Sequence, residues 1–93
     1  MKGIKRWKVV SAVGGGFEKP EAPCSIIGDE IPGHRGEQPP IMLQVVSVDG
    51  RVITIDGGER YALLTPSKAY ERWLGRQGLE LDPKQPIKNT PAT

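Results

Sequence analysis

Apolar residues cluster most clearly in "IMLQVVSVDGRVITIDGGERYALL", residues 41–64. Short runs rich in Val, Ile and Leu alternate there with Gly-bearing turns. Strands are predicted at 41–48, 51–55 and 60–64. Asp49-Gly50 is a favoured pair for a two-residue hairpin turn in which both positions take positive φ. "DGGE" at 56–59 supplies the next turn, so the three strands form an antiparallel meander. The strand 41–48 is apolar on both faces, with Met42, Val46 and Val48 on one and Ile41, Leu43 and Val45 on the other. Such a strand is either central beneath a covering element or part of an interface. Met42 and Val46 are therefore candidates for contact with a partner.

Two further strands precede the meander. In "IKRWKVVSAV", residues 4–13, one face carries Lys5, Trp7, Val9, Ser11 and Val13, and the other Ile4, Arg6, Lys8, Val10 and Ala12. The first face becomes apolar from Trp7 onward and is expected to meet the core. "GGG" at 14–16 ends this strand. "FEKPEAP", 17–23, is expected to stay irregular because of Pro20 and Pro23, with Phe17 pinned to the core. "CSIIGDEI", 24–31, is the second strand, and Gly28 inside it signals a bulge or bend.

The period changes at "TPSKAYERWLGRQG", 65–78. Ala69, Tyr70, Trp73 and Leu74 fall on one side at helical spacing. Thr65 is the expected cap and Pro66 the first helical residue, giving a helix over about 66–77. Gly78 can take a left-handed conformation and let Leu79 pack back. "ELDPKQPIKNTPAT", 80–93, has three prolines and little to bury, and is expected to be extended and frayed after about residue 84.

Five short strands and one helix predict a mainly β fold. The expected architecture is a small five-stranded antiparallel SH3-like or OB-like barrel, or a strongly curved sheet, with the C-terminal helix covering one open end. The domain is expected to span 1–79. Trp7 and Trp73 are the expected large core pieces.

Composition restricts this picture. Ninety-three residues make one small domain with a modest core, and 12 glycines and 9 prolines favour many turns. A single cysteine, Cys24, excludes an internal disulfide framework. No apolar run is long enough to span a bilayer as a helix, and "MKGIKRWKVV" lacks the apolar core of a signal peptide. The expectation is a cytoplasmic protein with no membrane partner.

Net charge is +2, but unevenly placed. Residues 1–20 hold Lys2, Lys5, Arg6, Lys8 and Lys19 against Glu18. Residues 21–40 hold four carboxylates against Arg35. An exposed Trp7 could stack a base while Lys5, Arg6 and Lys8 hold phosphates. Lys68, Arg72 and Arg76 add a basic line four residues apart on the helix. This is the case for single-stranded nucleic acid or RNA. The simpler reading is a strand with a basic solvent face.

Chemistry is less well supported. His34 is the only histidine, set in "IPGHRGEQPP" beside Arg35. A nucleophile system would need it as base for Cys24, yet Cys24 begins a strand and lies in no nucleophile signature. Asp29, Glu30, His34 and Glu37 offer mixed ligands, but neither zinc nor calcium spacing is present. "GGGF", 14–17, follows a strand, but no helix or "GK[ST]" follows it. No catalytic residue, metal site or cofactor is assigned. His34 and Arg35 are instead expected to touch a partner at the tip of an exposed loop. The favoured reading is a non-enzymatic module binding a protein or itself, with nucleic acid as the alternative.

Overall fold

A computed structural model describes residues 2–11, 13–31 and 39–89. Among these residues seven strands and one helix follow in the order β1 (Lys2–Val10), β2 (Glu21–Ala22), β3 (Cys24–Ile31), β4 (Ile41–Asp49), β5 (Val52–Ile55), β6 (Arg60–Leu63), α1 (Lys68–Arg76) and β7 (Lys88–Asn89). The predicted mainly β character, the strand at 24–31 and the three-stranded meander are all present.

The five main strands pair in sequential order, and β6 returns to pair with β1. Four ladders are antiparallel and the closing β1–β6 ladder is parallel. The expectation of antiparallel pairing throughout therefore fails at one seam. Parity requires this. When five strands reverse direction one after another, the first and fifth run the same way, so a ring can close only through a parallel pair.

Two bulges reset the inside–outside pattern. In β1, Lys5 pairs with Asp29 and Lys8 with Ile27, so Arg6 and Trp7 together oppose Gly28. Arg6 takes φ +50°, the left-handed position that glycine usually fills in such bulges. The extra residue shifts the alternation, and Ile4, Trp7 and Val9 all point inward. The expected assignment of Ile4 to the outer face is corrected accordingly. Val13 also leaves the core, because the chain turns at residues 13–14 and exposes it. Gly28 makes the bulge possible. A Cβ there would lie 2.5 Å from Ile4 Cγ2 and 3.1 Å from the Trp7 Cα.

The second bulge lies in β4, between the pairs Val45–Ile55 and Ser47–Thr54. Val46 is the extra residue, so Val45 and Val48 both face the core while Val46 stays outside. Val48 therefore does not share a face with Met42 and Val46. The hairpin after β4 also sits one residue later than predicted. Asp49 pairs with Val52, leaving Gly50 and Arg51 as the loop. Only Gly50 has positive φ, +62°, which matches the glycine-first form of the two-residue turn.

The helix starts later than its sequence pattern implies. Residues 64–67 continue alongside β1: the Leu64 N–H donates to Ile4 O, the Arg6 N–H to Thr65 O and the Ser67 N–H to Trp7 O. Thr65 is thus occupied as strand backbone, and Ser67 is the cap, its Oγ accepting from the Tyr70 N–H at 3.1 Å. Tyr70 and Leu74 are buried, Trp73 is half-buried and Ala69 is exposed, outside the predicted apolar face. The end of the helix is as predicted. Gly78 is left-handed at φ +72°, and the Leu79 N–H donates to Leu74 O at 2.9 Å, closing the helix and packing Leu79 on the core.

The C-terminal segment is not a frayed tail over its described part. Ile87 is 0% exposed and belongs to the core cluster. β7 pairs in parallel with β2, so the proline-bearing segment 17–23 also holds a short strand. The domain accordingly extends past residue 79. Proline spacing concealed this, because a single isoleucine between a proline and a lysine leaves no periodic signal.

Candidate functional site

Four of the five aromatic side chains form one assembly where α1 meets the sheet, Trp7 and Tyr70 buried and Phe17 and Trp73 half-buried. Tyr70 sits at its centre, 5.9 Å from Trp7, 5.5 Å from Phe17 and 5.9 Å from Trp73, ring centre to ring centre. Its hydroxyl donates to Glu18 O at 2.6 Å. Trp7 is 0% exposed and its indole N–H donates to Leu64 O at 3.0 Å. Full burial of such a ring stabilises the fold by roughly 2–3 kcal/mol. Trp7 is therefore unavailable to stack a base, which corrects its candidacy as a nucleic-acid contact.

The basic residues around it are partly spent within the fold. Arg6 Nε donates to Asp29 Oδ2 at 2.6 Å, and Lys2 Nζ lies 3.1 Å from Glu30 Oε1. Lys8 Nζ sits 5.8 Å from the Phe17 ring centre, a cation–π distance. Lys5 is half-buried on β1. Lys68, Arg72 and Arg76 are exposed along one helix and make no ion pair among the described residues. The structure thus separates the two basic groups that sequence reasoning combined, and only the helical one is wholly exposed.

On the outer face of the sheet, Met42 is 57% exposed and Val46 is 50% exposed. Ile27, half-buried, lies directly across from Met42 in the β3–β4 ladder. Between them Gln44 accepts from the Ser25 hydroxyl at 2.8 Å. These two candidate partner residues therefore stand on one strand, on one face, as proposed. His34 and Arg35, the other two, lie outside the described residues.

A groove of about 770 Å³ runs beside Val46, bordered by Glu18, Glu21, Cys24 and Asp56. Burial pushes the Cys24 thiol up to about 11, so it stays protonated near neutrality. Burial likewise raises the Tyr70 hydroxyl. Tyr61 is raised by burial and then by Glu59, and Lys2 by its bond to Glu30. Each of these shifts moves its group further from neutral pH, the opposite of what acid–base or nucleophilic catalysis requires. No group of three or more metal-ligating side chains occurs among the described residues.

A second cleft, of about 470 Å³, opens between α1 and the returning segment 79–86. Nothing in the sequence pattern announced it, because it exists only when the C-terminal segment folds back. Arg51 holds that segment: its guanidinium donates to Leu63 O, Leu64 O and Pro83 O at 2.8–3.2 Å. No helix among the described residues is long and apolar enough to cross a membrane. No family model matches the chain, and no curated protein or solved structure is significantly similar to it.

Proposed function

We propose that this protein is a non-enzymatic binding module that works through protein–protein contact, with a protein partner or a second copy covering the outer face of β4. The observation that carries this reading is the pair Met42 and Val46, large apolar side chains about half exposed on one strand face, continued across the ladder by Ile27. Both are surplus to the core, which Leu43, Val45 and Val48 already supply from the same strand. Exposed apolar side chains grouped on one face are a mark of interfaces. We place the shape nearer an SH3-like barrel than an OB-fold, since the sequential strand order departs from the Greek-key order of the latter.

The test is the double variant Met42→Lys/Val46→Lys, compared with the parent chain by light scattering across a concentration series and by affinity capture. The parent is expected to self-associate or retain a discrete partner, and the variant to lose that behaviour with its fold intact. A strictly monomeric parent that captures nothing would remove this reading.

A second reading rests on Lys68, Arg72 and Arg76, exposed at successive helical turns. On that reading a single-stranded oligonucleotide binds the helix face, with affinity falling steeply as salt rises. Absence of binding at low salt would dismiss it.

A further inference from the structure

We propose that the cleft between α1 and residues 79–86 is a second docking site, which takes a short segment of a partner protein that presents one apolar side chain flanked by lysine or arginine. The site is separate from the β4 face and does not depend on it.

The argument starts from the lining. The half-buried Leu79 and Leu81, over the buried Leu74, give the cleft apolar surface, and Glu71, Glu80 and Asp82 place three carboxylates around it. Arg51, the one cation among the described lining residues, already directs its donors at backbone carbonyls. None of the three carboxylates is in an ion pair among the described residues. An occupant that brings apolar surface and positive charge complements this site, and an acidic one is repelled. The volume, about 470 Å³, suits one large side chain with its flanking backbone.

Gly75 is the independent observation. It lies in the last turn of α1, where glycine still costs up to about 1 kcal/mol relative to alanine, and it lines the cleft. No backbone strain demands it: its φ is not positive, and a Cβ there would meet nothing within 4 Å. Neither φ nor crowding at Cβ accounts for glycine at this position. What the missing side chain does provide is close approach of another chain to the helix backbone.

The experiment uses the full chain, labelled for amide NMR, and two probes: acetyl-Gly-Lys-Leu-Lys-Gly-amide and its charge-reversed form, acetyl-Gly-Glu-Leu-Glu-Gly-amide. The lysine peptide is expected to shift the amides of Gly75, Leu79, Glu80 and Leu81, and the glutamate peptide to leave them in place. Gly75→Leu, whose Cβ meets nothing within 4 Å, places a side chain at the cleft and is expected to abolish the shifts in a folded protein. Glu80→Gln and Asp82→Asn are each expected to weaken binding roughly two- to fivefold, and Met42→Lys/Val46→Lys to leave it unchanged. Equal response to both peptides, no response to the lysine peptide, or full binding by Gly75→Leu would overturn the proposal. So would concentration-dependent shifts of the same amides without peptide, which would assign the cleft to a second copy.

Discussion

Asn89 holds Val48 by both of its main-chain groups. Its Oδ1 accepts from the Val48 N–H at 2.9 Å and its Nδ2 donates to the Val48 carbonyl at 2.8 Å. The β3–β4 ladder has stopped at Cys24–Val45, so beyond it β4 lacks its neighbour. The side-chain amide of Asn89 stands in for a peptide unit of the absent strand. It also anchors the C-terminal segment that carries Ile87 into the core.

Replacing this amide is therefore expected to cost more than one ordinary hydrogen bond. Asn89→Ala leaves a donor and an acceptor of Val48 without partners, and is expected to lose about 1–3 kcal/mol. Asn89→Asp keeps the acceptor but not the donor. Urea denaturation of the two variants would measure this, and a change below about 0.5 kcal/mol for Asn89→Ala would show that the clamp is not structural.

Gly28→Ala tests the bulge of β1. The added methyl would press on Ile4 and on the Trp7 backbone, in a region with no room to give. Loss of about 1–3 kcal/mol or more is expected, with the Trp7 environment disturbed. Near-ultraviolet circular dichroism together with the melting temperature reports both.

The N-cap assignment separates two neighbouring hydroxyls. Ser67→Ala is expected to cost about 0.5–2 kcal/mol because it removes the bond to the Tyr70 N–H. Thr65→Ala leaves the Thr65 carbonyl, which Arg6 uses, and is expected to change stability by less than about 0.5 kcal/mol. Thermal melts of the pair give the ranking, and a reversed order would return the cap to Thr65.

Alkaline pH acts on a half-buried thiol and a buried phenol. Burial raises Cys24 from 9.0 to about 11 in the fold and raises Tyr70 above its ordinary 10.0. The unfolded chain releases these protons first, so it binds fewer than the folded one. Stability is then complete below pH 9 and falls as pH rises from there toward 11 for the thiol, and from 10 upward for the phenol. Denaturation midpoints between pH 8 and 11 are expected to decline, and Cys24→Ala to flatten the first part of the decline. Thiol reagents are expected to modify Cys24 at pH 8 several-fold more slowly in the folded protein than in the unfolded chain, because the raised value leaves little thiolate.

Local pattern alone determined the meander, the strand Cys24–Ile31 and the Gly78 helix stop. In each, a residue's role follows from its immediate neighbours: alternation, a turn glycine, a period of 3.6. It also singled out Met42 and Val46, because a strand apolar on both faces carries more apolar residues than one core face can take, though it grouped Val48 with them and could not tell which face lay outside. What only the tertiary structure decided depends on partners distant in sequence. The β1 bulge needs Gly28 opposite Arg6 and Trp7, and it is this extra residue that turns both Ile4 and Trp7 inward. Thr65 is drawn out of the helix by the Arg6 N–H. Ile87 finds its core only when the chain returns along β2, and that return creates the cleft beside Gly75. Periodicity records which face of an element a residue occupies. It does not record a slip of one residue, nor where a distant segment comes back, because those are settled by long-range contacts that outweigh local preference.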